Sequence, residues 1–245
     1  MPNTYLARTT GTPTDAKKFT FSAWIKKGDT DNSRQELLTQ YYDANNRAYI
    51  GFNSSDKLEF GSVQSNSWVI DFGYSRVFRD VNAWYNIVIA FDTTQTTASN
   101  RIKLYVNGVQ EISIAGSPTY PALDSSAPWN SASKNLFIGA AVTTNTSNGF
   151  NGSMSHINFI DGTAYDASYF GSTDSTTGEW KINTGPSVTY GSNGFSILKD
   201  SNSVTDQSGQ SNNWTVGGGT LTKTEDSPSN VFNTLNPLDG YQSGY

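Results

Sequence analysis

At 245 residues, with 15% charged and 13% aromatic side chains, the chain is long enough to bury a substantial core, and all-β single domains often reach this size. A net charge of -5 and a pI near 4.8 leave no basic surface to neutralise phosphates, which argues against nucleic acid as the main partner. There are no cysteines, so disulfides and thiolate metal sites are excluded. No apolar run reaches the length of a membrane span, and Met1 leads into polar Pro2, Asn3 and Thr4 rather than a signal peptide.

Phe19, Phe21, Ala23 and Ile25 alternate with Thr20, Ser22 and Trp24, the period-two pattern of a strand whose first set faces a core. Strands are also expected at Tyr49 to Asn53, Lys57 to Val63 and Ser67 to Phe72. The segment from Trp84 to Phe91 is apolar on both faces apart from Asn86, as suits a central strand covered on two sides. Asn107-Gly108, set between the β-rich runs 101–106 and 109–114, predicts a tight hairpin, since both central residues of a type I′ turn need positive φ. Leu136 to Ala140 and Ser153 to Ile160 extend the series to at least nine strands, and Asp166 to Phe170 reads as one helical turn. Past residue 183 the strand signals thin to Phe195–Leu198 and Asn213–Val216 among glycines and prolines. The expected division is a sandwich over 1–182 and an extension over 183–245 that wraps it and ends in an arm, 225–245.

Several motifs carry a family likeness in their order and spacing: Tyr5-Leu-Ala-Arg-Thr9, Phe19-Thr-Phe-Ser-Ala-Trp24, Trp84-Tyr-Asn-Ile-Val88, Lys103-Leu-Tyr-Val-Asn-Gly108 and Phe150-Asn-Gly152. Together they resemble the laminin-G-like, concanavalin A-like jelly roll. The longer strings Phe91-Asp-Thr-Thr-Gln-Thr-Thr97, Phe159-Ile-Asp-Gly-Thr-Ala164, Tyr190-Gly-Ser-Asn-Gly-Phe195 and Leu235-Asn-Pro-Leu-Asp239 resemble particle-associated proteins of marine tailed phages, including cyanophages. That resemblance implies an all-β, two-sheet antiparallel sandwich and a place on the virion, made in the host bacterial cytoplasm, with other virion proteins as partners and self-association on the particle. The expected role is non-enzymatic: a capsid decoration or a small fibre or tail accessory subunit. The alternative is a lectin-like module for host-surface glycans. The fold itself names no ligand.

Few residues group into a pattern that could carry chemistry. Glycosidases need two carboxylates flanking one bond, and Glu36, Glu59, Glu111, Glu179 and Glu225 are scattered along the chain. His156 is the single histidine, between Ser155 and Ile157, and reads as a surface or hydrogen-bonded residue rather than a catalytic base. Calcium is harder to exclude, with weak oxygen-rich loops at Asp29 and Asp31, at Asp43 and Asn45, and at Asp200, Asn202 and Asp206; turn formation is the simpler reading of each. For a glycan, the aromatic candidates are Trp24, Tyr41, Tyr42, Trp68, Tyr74 and Trp129, with Tyr41 and Tyr42 expected in a loop and Trp24 expected to be covered by the second half of the chain. In the arm, Leu238, Tyr241 and Tyr245 are expected to contact a neighbouring subunit.

Overall fold

The computed structural model describes residues 4–30, 33–141 and 148–228. These hold sixteen strands: β1 (Tyr5–Thr9), β2 (Lys18–Lys27), β3 (Gln35–Asp43), β4 (Asn46–Phe52), β5 (Lys57–Gln64), β6 (Ser67–Val77), β7 (Tyr85–Asp92), β8 (Ile102–Val106), β9 (Val109–Glu111), β10 (Ile114–Thr119), β11 (Asn135–Ile138), β12 (Gly152–Asp161), β13 (Gly171–Thr173), β14 (Trp180–Ile182), β15 (Phe195–Ile197) and β16 (Thr215–Gly218). One sheet has eight strands in the order β10-β6-β5-β4-β3-β11-β1-β16, the other six in the order β15-β12-β2-β7-β8-β9. All their strand pairings are antiparallel, so the chain is the expected two-sheet sandwich.

The alternation in β2 works as its sequence predicts. Phe19, Phe21, Ala23 and Ile25 enter the main core between the sheets, where they meet Ile87, Ile89 and Phe91 of β7 and Ile50 and Phe52 of β4. The opposite face of β7 contributes Val88, which packs with Ile160, Ala167 and Phe170 in a second cluster under the excursion 165–190. A central strand covered on both sides is therefore what its two apolar faces encode. Asn86 is the polar exception, and its amide is used: Oδ1 accepts from Trp180 Nε1 at 3.1 Å. Asn107 (φ 48°) and Gly108 (φ 81°) form the expected positive-φ turn between β8 and β9.

The helical turn expected at Asp166–Phe170 is a 3-10 turn, Ala167–Tyr169, whose first N–H groups are met by the Asp166 carboxylate, Oδ1 accepting from Ser168 N at 2.9 Å. Beyond residue 183 the chain adds an edge strand to each sheet: β15 pairs with β12, and β16 with β1. Phe195, Ile197 and Trp214 then fill the main core. Of the arm 225–245, residues 229–245, including Leu238, Tyr241 and Tyr245, lie outside the described residues.

A buried carboxylate ties the ends of this arrangement together. Asp161 accepts from Thr14 N (2.6 Å), Asp15 N (3.3 Å), Asn193 N (3.0 Å) and Asn130 Nδ2 (2.7 Å), so three segments remote in sequence converge on the end of β12. Four N–H donors take the place of water around the charge.

Candidate functional site

The outer face of the eight-stranded sheet carries the aromatic and charged side chains that the core does not use. Register alone builds it in rows. Thr9 lies opposite Asn135, Asn135 opposite Tyr41, Tyr41 opposite Arg47, Arg47 opposite Val63 and Val63 opposite Trp68. Neighbouring strands stand about 4.8 Å apart, so Tyr41 and Trp68 are separated by about 14 Å across β3, β4, β5 and β6. Trp68 is 48% exposed, and the Arg47 guanidinium stands 6.0 Å from its ring centre. Trp68 thus closes the row as an open aromatic ring with a cation beside it. Outside the row, next to Tyr41 in β3, Tyr42 is 64% exposed, with Lys134 Nζ 4.0 Å from its ring centre.

The adjacent row runs Thr39, Tyr49, Gly61, Asp71. Gly61 is required there: a Cβ on it would fall 2.2 Å from the Tyr49 ring, which lies flat across the strand. Tyr49 meets Trp68 edge-on at 6.4 Å between centroids and so supports it from below. Burial pushes the Tyr49 hydroxyl up to about 12, against the pull of the Arg34 guanidinium, so the group stays a neutral donor. Arg34 stacks 3.8 Å from the Tyr49 ring centre.

A third row brings Glu36 and Glu59 to either side of Gly51. The pair leaves no signal in the sequence, because Glu36 and Glu59 are remote in the chain and belong to non-adjacent strands, β3 and β5. Arg34 lies between them, donating to Glu59 Oε1 and standing 3.6 Å from Glu36 Oε1. Thr39 Oγ1 (2.7 Å) and Asn148 Nδ2 (3.2 Å) donate to Glu36, and Asn53 Nδ2 donates to Glu59 at 3.1 Å. Both carboxylates are occupied by cation and amide partners, and Glu36 is buried, so the pair braces the face rather than offering a free acid and base.

The remaining aromatic candidates fail as platforms because the fold buries their rings. Trp129 is 0% exposed: the 3-10 turn Pro128–Asn130 sends it into the core, 5.9 Å from Phe19 and 6.1 Å from Phe91. Tyr74, at 2%, is an inward residue of β6 against Phe60 and Phe72, and burial pushes its hydroxyl up. Trp24 is 5% exposed on the outer side of the six-stranded sheet. Tyr41 and Tyr42 are not in a loop; they end strand β3.

The oxygen-rich loops are committed to turns. Asp43 Oδ1 accepts from Asn45 N (2.8 Å) and Asn46 Nδ2 (3.0 Å). Asp29 accepts from Gln35 Nε2 at 2.7 Å and from Asn151 Nδ2. Asp206 accepts from Ser196 N, Ser208 N, Ser208 Oγ and Asn212 N at 2.8 to 2.9 Å, and Asn202 Nδ2 donates to Leu221 O at 3.1 Å. Asp200 offers its main-chain oxygen to Ser203 N at 3.3 Å, and Asp31 lies outside the described residues. Among the described residues no three acidic or histidine side chains are grouped to hold a metal.

A separate cleft of about 500 Å3 opens at the sandwich edge, lined by Trp84, Phe150, Met154, His156, Lys199 and Leu221 among others. Its far wall is pinned by Asp226, which accepts from Trp84 Nε1 at 2.8 Å and pairs with Lys26 at 2.5 Å. His156 sits at a β-bulge, φ 48°, with Nδ1 2.8 Å from Ser155 Oγ. Burial, with Lys199 nearby, lowers its pKa to about 4, leaving the ring neutral at pH 7. Of the two readings its sequence neighbours allowed, it is the hydrogen-bonded one, half-buried at the cleft wall, and no carboxylate hydrogen-bonds it among the described residues.

Residues 3–168 match the family described as the concanavalin A-like lectin/glucanases superfamily, the laminin-G type. The chain belongs to that superfamily. Among solved structures it is similar to a heptameric SAP-like pentraxin from Limulus polyphemus (15% identity, 66% of this chain and 71% of that one, TM-score 0.44). It is likewise similar to the CBM40 of a Ruminococcus gnavus IT-sialidase (12%, 67% and 92%, TM-score 0.42). Domain 4 of the Geobacillus stearothermophilus arabinanase AbnA matches at 15% identity over 62% of this chain, which spans 64% of that domain, with a TM-score of 0.41. No curated protein matches the chain.

Proposed function

We propose that this superfamily member is a non-enzymatic, lectin-like module that binds a carbohydrate across the outer face of its eight-stranded sheet. The observation that carries this reading is the row from Tyr41 to Trp68, in which an open indole ring is braced by Tyr49 and accompanied by Arg47. Sugar rings present an apolar C–H face to an aromatic surface and hydroxyls to polar groups around it, and this row supplies both, with Asn135, Thr9 and Asp71 at its margins. The occupied state of Glu36 and Glu59 supports binding without hydrolysis.

Glycan-array screening followed by calorimetry on the best oligosaccharide tests the reading. Binding that Trp68→Ala abolishes, with unchanged melting temperature and no release of reducing ends, is the expected result. Binding untouched by Trp68→Ala and Tyr41→Ala would move the site elsewhere, and hydrolysis abolished by Glu36→Gln or Glu59→Gln would make the protein an enzyme.

We further place the module on the particle of a tailed phage, as an accessory subunit of the capsid, tail or fibre. Its support is the set of motif strings from Phe91 to Asp239 that resemble phage particle proteins. Mass spectrometry of purified particles from the cognate host is the check.

A further inference from the structure

Away from that face, a buried amine and a buried carboxyl meet between the two sheets. Lys27 closes β2 of the six-stranded sheet, and Asp56 sits in the turn from β4 to β5 of the eight-stranded sheet. Lys27 is 1% exposed, and its ammonium donates to Asp56 Oδ1. The turn holds Asp56 firmly: its N–H donates to Asn53 O at 3.0 Å, its carbonyl accepts from Phe78 N at 2.9 Å, and its φ is 57°. Around the pair are aromatic rings. Lys27 Nζ lies 4.8 Å from the Phe52 centroid, and Phe78 and Phe150 pack on Phe52 at 5.1 and 6.5 Å.

An ammonium has three N–H groups, and among the described residues this one has a single hydrogen-bond acceptor. Two charges held out of water are costly, whereas an amide would carry no charge and only one N–H and one C=O to satisfy. We propose that Lys27 and Asp56 condense into an intramolecular amide cross-link that ties the two sheets together. The ammonium first passes a proton to the touching carboxylate, giving a neutral amine and a carboxylic acid. The Nζ lone pair then attacks Cγ, forming the C–N bond; a second Nζ proton goes to the departing hydroxyl, the C–O bond breaks and one water leaves. No oxidant, cofactor or other reactant is consumed. The fold supplies proximity and a dry aromatic enclosure, which favour attack and disfavour the return of water. The inference is independent of the glycan reading.

Intact-mass measurement of the purified full chain, repeated after prolonged incubation at 37 °C, tests it on the native sequence. The expected result is a mass lower by one water, with tandem spectra of a digest showing the Lys27 and Asp56 peptides joined. Lys27→Met, which keeps the stem's bulk, and Asp56→Ala should each restore the mass calculated from their sequences. Two results overturn the proposal. One is a wild-type mass that stays at the sequence value. The other is a water loss that persists in Lys27→Met, which would locate it at an Asp-Gly step such as Asp161-Gly162.

Discussion

The outer faces of the two sheets have been put to opposite uses. On the six-stranded sheet Val88 and Ile160 point outward, and the chain returns over them with Ala167, Phe170, Tyr165 and Trp180. On the eight-stranded sheet the outward positions of β3 to β6 are Glu36, Thr39, Tyr41, Arg47, Tyr49, Gly51, Glu59, Gly61, Val63, Trp68, Asp71 and Gly73, and the described residues leave Trp68 open. Outward aliphatic side chains must be roofed to leave water; a polar, aromatic face can remain in it and meet a ligand. The six-stranded sheet is closed by the chain itself, and the eight-stranded one carries the surface proposed above for recognition.

The largest effect expected on this contrast comes from the six-stranded sheet. Phe21 is fully buried on the core side of β2, so Phe21→Ala should cost about 3 to 5 kcal/mol in urea denaturation. A negligible loss would mean that β2 does not face the core as described.

Next in size is a pH effect at the edge of the same sheet. The His156 pKa is lowered to about 4 in the fold, against about 6.5 when unfolded. The unfolded chain therefore binds a proton first, and stability is lost as pH falls from about 6.5 toward 4, by on the order of 2 kcal/mol once partial exposure is allowed for. His156→Asn, whose side chain tolerates the left-handed backbone, should flatten the difference in denaturation midpoint between pH 7 and pH 4 relative to wild type. Equal pH slopes in the two proteins would mean that the ring is not desolvated.

How far the contrast was legible beforehand depends on the range of the interactions involved. The strands β2 and β7 and the Asn107-Gly108 turn could be read because alternation and turn chemistry are local. The strand β3 escaped because Gln35, Glu36 and Gln40 are poor strand formers and its pairing with β4 shifts register twice, which hides the alternation. Trp129 was a false platform because a three-residue turn, not a strand pattern, decides its direction. Trp68, Tyr41 and Tyr42 were nameable singly; their common row, and the bracing by Tyr49 over Gly61, are properties of register between strands remote in sequence. The roof from residue 163 onward left little local signal, since β13 and β14 are three residues each.

The open face predicts a dissociation of stability from binding. Trp68 is half exposed, so Trp68→Ala should change unfolding free energy by no more than about 0.5 kcal/mol while removing glycan affinity. Ile160→Ala, on the covered face, should do the reverse, destabilising by about 2 kcal/mol or more with affinity intact at temperatures where the variant is folded. Parallel calorimetry and thermal melts on the two variants make the comparison, and a matching loss of affinity in both would erase the distinction between the faces.

The smallest expected effect is that of calcium. A rim site at Asp29, Asp43 or Asp206 would draw on oxygens that already accept two, three and four hydrogen bonds from neighbouring N–H and O–H groups. An ion would have to replace those bonds, opening the turns they hold, so the gain on binding is offset by the loss of local structure. A ligand at ten times its dissociation constant stabilises a fold by about 1.4 kcal/mol, which for a chain of this size raises the melting temperature by about 3 to 6 °C. Millimolar calcium should therefore leave the melt within about 1 °C of the chelated protein, a bound well inside that arithmetic. A rise of the larger size, reversed by chelation and abolished by Asp206→Asn, would show that the turn at 200–206 is an ion site that trades its internal hydrogen bonds for the metal.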